Sequence, residues 1–254
     1  MSGNEVVLVG DTMAAVVAAV TAVEDLTGSG PIVVGGLAVL ARLSSAHRAT
    51  IDLDIVDRRC DGRERQLEIL RDSDRTKTAE PVGVYVPTKF GEVRVDVLEV
   101  SQHELENPSE DVGDRLHAES HAWAADTASP VSIVVLGSDR QELAKVSSKV
   151  AQAGPLIAMK LQAIMDRDSS KAGTDLWDII RLVLDPVCRP DILRQLSSCD
   201  FQMATDIAEH VEYWFGKQRN QSLDRLGSVA RASVTSEDVD LVAELLADAC
   251  SRRG

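Results

Sequence analysis

The feature that most constrains this chain is a change of hydrophobic pattern near residue 140. Before it, apolar residues come in short, β-branched runs. After it, they recur at helical spacing between helix-starting and helix-ending residues. In the first part, Glu5 to Val9 reads as a strand, and Asp11 or Thr12 is placed to cap a helix running to about Asp25. The loop Thr27-Gly-Ser-Gly-Pro31 leads into a strand over Ile32 to Val34, which ends in Gly35-Gly36 and is followed by a helix over Leu37 to Leu43. Ile51 to Val56 alternates apolar and acidic residues, as a strand with one polar face does. Val82 to Val86 and Glu92 to Val100 read as strands joined by a turn around Pro87 to Gly91, and Pro130 to Leu136 reads as a last, buried strand. Helical patterns then cover Asp139 to Ala153, Pro155 to Arg167, Thr174 to Leu184, Pro190 to Leu196, Phe201 to Trp214 and Ser236 to Cys250. The expectation is an α/β (α+β) chain, with a mixed sheet and helices over residues 1–139 and a helical domain over 140–254.

Composition narrows the partners. Of 254 residues, 27 are Lys or Arg and 41 are Asp or Glu, a formal charge of −14, and 44% are apolar. That balance belongs to a folded chain and not to a disordered one. The longest apolar candidate, Met13 to Val23, is too short to span a membrane and has no basic stretch before it, so a soluble, cytoplasmic protein is expected. Cys60, Cys188, Cys199 and Cys250 form no C-x-x-C pair, which points away from a disulfide framework or a zinc knuckle. A charge of −14 gives no global attraction for nucleic acid, so such binding would need local basic patches. Two windows offer them: Arg58 to Lys77, with seven basic residues, and Tyr213 to Arg231, where Lys217, Arg219, Arg225 and Arg231 face Asp224 alone. Ser101 to Ala128 is the opposite, with seven acids and Arg115.

Three acids stand on expected strands. Asp52 and Asp54, in Ile51-Asp-Leu-Asp-Ile55, share a face because strand side chains alternate with period two. Asp96, in Val95-Asp-Val97, is a third acid between apolar neighbours. Carboxylates aligned on one face repel one another, and a hard cation such as Mg²⁺ or Mn²⁺ relieves that repulsion. Alone, D-x-D is more often the solvated polar face of an antiparallel strand. Upstream, however, the Gly35-Gly36 strand-to-helix turn lets phosphate oxygens approach backbone N–H groups. Downstream lie Lys160, in an apolar turn between Met159 and Leu161, then Arg167 seven residues on, then Asp175-Leu-Trp-Asp-Ile179. Other motifs fail: His117-Ala-Glu-Ser-His121 matches no zinc-protease pattern, and neither G-x-G-x-x-G nor a P-loop occurs. Trp177 and Trp214 sit at helical positions that favour a core role.

Taken in order, Gly35-Gly36, Arg48-Ala-Thr-Ile-Asp-Leu-Asp54, Lys160-Leu-x-Ala with Arg167, and Asp175-Leu-Trp-Asp-Ile179 resemble the AbiEii/MenT nucleotidyltransferase toxins of the DNA polymerase β-like superfamily. The resemblance runs from about residue 31 to 184. It implies that Gly35 and Gly36 hold a triphosphate and that Asp52 and Asp54 bind Mg²⁺, with Asp96 in the place of the third strand acid. It further implies that Lys160 contacts nucleotide phosphates and that Asp175 orients or deprotonates the attacking hydroxyl. Arg48, Thr50 and Arg167 would join the nucleotide-binding set. Leu37 and Thr174 depart from the family pattern, which often has Ser or Thr at the first position and Arg or Lys at the second.

The implied reaction transfers NMP from an NTP to an acceptor hydroxyl in a cleft between the two domains, the acceptor being RNA, in particular a tRNA 3′ end. A toxin role and a cognate antitoxin partner follow from the same resemblance. Two other readings stay open: transfer to an antibiotic-type small molecule, which suits the acidic charge, and a non-catalytic nucleotidyltransferase-like binding protein.

Overall fold

A computed structural model describes residues 5–59, 62–229 and 233–252. Cys60 and Arg231 lie outside the described residues. The chain divides into two units. The first comprises Met1–Ala41, Ser45–Glu106 and His121–Gln152; the second comprises Arg42–Ser44, Asn107–Ser120 and Ala153–Gly254.

The first unit is a mixed sheet with helices. Its elements are β1 (Glu5–Val9), α1 (Asp11–Thr27), β2 (Ile32–Val34), α2 (Gly35–Arg42), β3 (Asp52–Arg59), α3 (Gln66–Asp72), β4 (Lys77–Ala79), β5 (Gly83–Thr88), β6 (Gly91–Ser101) and α4 (Gln102–Glu106). Helix α5 (Val112–Thr127) contains the boundary between the units, and β7 (Ser129–Leu136) and β8 (Glu142–Val150) complete the sheet. The strand order is β1-β7-β8-β2-β3-β6-β5-β4. Neighbours β3 and β6 are parallel, whereas β2 runs antiparallel to β3 and β5 antiparallel to β6. Helix α1 buries Met13, Val16, Val17, Val20 and Val23, a stripe at helical spacing, and packs on β8, β5 and β6. Gly10, not Asp11 or Thr12, is its N-cap, with φ 105°; Asp11 instead sits in the first turn, where a carboxylate opposes the positive end of the helix dipole.

The expected helix over Asp139 to Ala153 is a strand. Leu143, Val146 and Val150 fit helical spacing, which is why the pattern misleads. The structure instead uses a two-residue alternation: Val146, Ser148 and Val150 are buried between exposed Lys145, Ser147 and Lys149. The buried Ser148 hydroxyl donates to the Pro31 carbonyl at 2.9 Å, so the polar group on the inner face is satisfied. A tight turn, with Gly137 N–H on Gln141 O and Arg140 at φ 63°, folds β8 back along β7. Pro130 to Leu136 is therefore not the last strand, and the sheet unit extends to Gln152, past residue 139.

The second unit is helical beyond that point: α6 (Ala153–Ala163), α7 (Ser169–Leu184), α8 (Arg189–Ser197), α9 (Phe201–Val211), a π-helical turn (Glu212–Lys217), α10 (Arg219–Gly227) and α11 (Ser236–Ser251). Helix α6 stops at Ala163, four residues short of the expected Arg167. Asp168 then caps α7 by accepting from the Ser170 and Lys171 N–H groups. Thr235 and Asp238 form a reciprocal capping box at the start of α11. Trp177 and Trp214 are core residues, and the Trp214 indole donates to the Leu161 carbonyl at 3.2 Å. No helix among the described residues is long and apolar enough to cross a membrane.

Val150→Ala should cost about 2 kcal/mol of stability by urea denaturation, because a fully buried side chain is truncated. Lys149→Ala, one residue away on the open face, should stay within about 0.5 kcal/mol. A helix gives that contrast too. The discriminating residue is Ser148, buried on the same face as Val150 in the strand but about 200° from it around a helix, so Ser148→Lys should also be strongly destabilising.

Candidate metal centre

Strand β3 begins at Asp52 and presents Asp52 and Asp54 on one face, while Leu53 and Ile55 enter the core on the other. Parallel pairing with β6 sets Asp54 beside Asp96 and Asp52 beside Arg94. Asp52, Asp54 and Asp96 thereby offer carboxylate oxygens that all lie within 4.8 Å of one another, each half-buried. With Mg–O bonds of about 2.1 Å, oxygens on opposite sides of one ion stand about 4.2 Å apart, so this donor set fits a hard divalent cation with small adjustments. Among the described residues it is the group of acids, histidines or cysteines close enough to share an ion.

The surroundings are shaped to the carboxylates. Gly35 opens α2 with φ 61°, and a Cβ there would collide with the Asp54 carboxylate. Gly83, the β5 partner of Asp96, likewise leaves room for that side chain. A Cβ on Gly36 would stand 2.8 Å from Thr50 Oγ1 and 3.0 Å from an Arg48 guanidinium nitrogen, so these two residues close on the start of α2 as well. The Thr50 hydroxyl donates to Asp52 Oδ1 at 2.8 Å. Arg94 Nε donates to both oxygens of Asp96, at 2.9 and 3.1 Å, and this hydrogen bond pushes the guanidinium above its usual pKa. The first turn of α2 carries no acidic residue of its own, and the carboxylate lying against its start is that of Asp54.

Lys160, Arg167 and Asp175 form a separate cluster within the helical unit. Lys160 Nζ lies 2.6 Å from Asp175 Oδ1 and 2.8 Å from Asp178 Oδ2. Asp175 and Asp178, three residues apart on α7, share a helix face. Arg167 approaches the second Asp175 oxygen at 2.8 Å, as an ion pair rather than an aligned hydrogen bond. Asp175 and Asp178 are sealed, at 1% and 0% exposure, and Lys160 is 7% exposed. Lys160 and Arg167 do converge, on one carboxylate, but from α6 and the turn after it.

The structure thus gathers Gly35, Gly36, Arg48, Thr50, Asp52, Asp54 and Asp96 in one unit, and Lys160, Arg167 and Asp175 in the other. Arg94 and Gly83 escaped the sequence reading, and Asp178 was included only as part of the Asp175-Leu-Trp-Asp-Ile179 motif, with no role of its own. Arg94 carried a usable signal, because it lies two residues before Asp96 and so on the same strand face. His117 faces Gln162 Oε1 at 3.3 Å and belongs to no metal cluster among the described residues. Much of the basic window that begins at the end of β3 is paired: Arg58 with Asp126, Arg59 and Arg65 with Glu99, Arg71 with Glu80, and Lys77 with Glu92. In the later window Arg219 pairs with Asp240 and Arg225 lies over the Trp214 ring. Comparison with protein-family models, with curated proteins and with solved structures finds no match.

The two clusters should respond oppositely to neutral substitutions. Lys160→Met leaves two buried carboxylates without their shared ammonium and should cost about 3–5 kcal/mol in denaturant unfolding. Asp54→Asn removes a charge from three crowded carboxylates, so in the presence of a chelator it should melt at or above the wild-type temperature.

Proposed function

We propose that this protein is a metal-dependent nucleotidyltransferase, moving NMP from an NTP to an acceptor hydroxyl with release of pyrophosphate. The observation that carries this reading is the convergence of Asp52, Asp54 and Asp96 beside the glycine-led start of α2. A three-carboxylate donor set takes a hard cation, and a helix N-terminus takes an anion. A metal-chelated polyphosphate satisfies both at once. The order of motifs shared with the AbiEii/MenT toxins points the same way.

In this reading Asp52, Asp54 and Asp96 hold Mg²⁺ or Mn²⁺. The ion would supply neutralisation of the triphosphate and a lower pKa for the acceptor hydroxyl. The chain's own residues do the positioning. Gly35 and Gly36 admit phosphate oxygens to the first N–H groups of α2. Thr50 fixes the Asp52 carboxylate and Arg94 fixes that of Asp96, so the ligands are preorganised. Arg48 stands at the same helix start and adds positive charge toward the phosphates. The resemblance assigns Lys160 and Arg167 to phosphate contact and Asp175 to orienting the acceptor hydroxyl. Because Lys160, Arg167 and Asp175 pair with one another, such contacts would require them to exchange these partners for substrate groups.

The acceptor we propose is RNA, a tRNA 3′ end, with a growth-inhibiting role opposed by an antitoxin, as the resemblance implies. Within the basic window, Arg63 bonds the Ser29 hydroxyl rather than a carboxylate, which leaves its charge available to phosphate. A second reading, transfer to a cationic small molecule, is favoured by the carboxylate pairing of the other arginines in that window.

Incubation with each labelled NTP, Mg²⁺ and total tRNA tests the reading. Label should appear on RNA, fall by about 100-fold or more in Asp52→Asn and Asp54→Asn, and vanish when metal is chelated. Gly35→Ala should behave like the aspartate variants while keeping a wild-type circular dichroism spectrum. Labelling that persists in Asp54→Asn would remove the metal assignment, and labelling of an amino-sugar in place of RNA would select the second reading.

A further inference from the structure

The helical unit holds a cavity that neither the strand aspartates nor the Lys160 cluster uses. Its volume is about 840 Å³, and its walls come from the start of α5, the turn after α6, α9 and the π-helical turn. Cavities that enclose organic ligands run from roughly 300 to 1,000 Å³. Asp111, Asp114, Asp166, Glu209 and Glu212 place five carboxylates on its wall, with Lys217 as the one Lys or Arg. Tyr213 and Met165, both partly exposed, add apolar surface.

A buried acceptor also opens on the cavity. His210 is 7% exposed, and its Nδ1 lies 2.9 Å from the backbone carbonyl of Asp206, a residue fixed in turn by Arg115. A carbonyl only accepts, so Nδ1 carries the proton, and with the ring neutral Nε2 is then an acceptor. Nε2 has no protein partner among the described residues and is not sealed from solvent. It therefore calls for a donor from within the cavity. Gln162, also on the wall, is already satisfied by Asp166 and His117.

The charge pattern selects the donor. An anion is repelled by five carboxylates. A single metal ion is not favoured, because these acids do not come close enough to share one, as the strand aspartates do. The complementary ligand spreads several positive charges over a carbon skeleton and brings N–H groups. We propose that this cavity binds an organic polyamine, with ammonium groups on Glu209, Glu212 and the neighbouring acids, an amine N–H on His210 Nε2, and carbon segments along Tyr213 and Met165. A linear aliphatic polyamine and an amino-sugar share this chemistry.

Isothermal titration of the full-length protein with spermidine and with kanamycin, at low salt, tests the proposal. Glu209 and Glu212 are exposed, so the double variant Glu209→Gln/Glu212→Gln should fold normally. Saturable 1:1 binding is expected, weakened about tenfold or more in that variant. Two controls should bind as the wild type does: Asp52→Asn, and Glu237→Gln/Glu244→Gln, which removes the same charge from exposed residues outside the cavity wall. The tighter of the two probes identifies the source. Absence of saturation with both, equal affinity in the cavity variant, or an equal loss in the Glu237/Glu244 control would overturn the proposal. None of these outcomes depends on nucleotidyl transfer.

Discussion

The parallel pairing of β3 with β6 is the constraint on which the functional reading depends. It sets Asp54 beside Asp96 with Asp52 two residues away, bringing three carboxylates onto one sheet face at mutual oxygen distances within 4.8 Å. Like charges at that spacing raise one another's cost in the folded state. Nothing about sheet stability asks for them. The surrounding sequence nevertheless accommodates them: Gly35 and Gly83 withdraw side chains that would displace them, Thr50 donates to one, and Arg94 grips another. A costly cluster that its neighbours hold in place, half-open to solvent, has the physical signature of a ligand site.

The Lys160 cluster supplies the contrast. There too acids crowd together, but Lys160 lies between Asp175 and Asp178, Arg167 closes on the second Asp175 oxygen, and the two aspartates are sealed from water. Its electrostatics are internally matched. Such a cluster stabilises one arrangement of α6 and α7 as long as every partner is present, and it penalises removal of any single one. A role toward phosphate, as the resemblance implies, would need Lys160 or Arg167 to give up one of these partners.

The strand site was legible because period two is a strict geometric rule. Ile51-Asp-Leu-Asp-Ile55 can place its acids together only as a strand, and Val95-Asp-Val97 repeats the pattern one strand over. Strand β8 was not legible, because Leu143, Val146 and Val150 satisfy a helical stripe as well as an alternating one, and sheet partners settled the choice. The end of α6 was missed because Ile164 continues the apolar pattern past Ala163, where Asp168 already caps the next helix. The cavity beside His210 was invisible for a different reason. Its wall comes from segments as far apart as Asp111 and Lys217, each an ordinary polar helix surface on its own.

Asp52, Asp54 and Asp96 are proposed to form one cation site. Titration of Mn²⁺ into the wild-type protein, followed by the loss of the free-ion electron paramagnetic resonance signal, measures it without any assumption about substrate. Saturable binding is expected, competed away by Mg²⁺ and abolished by Asp54→Asn and by Asp96→Asn, with Lys160 and Asp175 left in place. Mn²⁺ that stays free in the wild type, or binds equally in both variants, would contradict it.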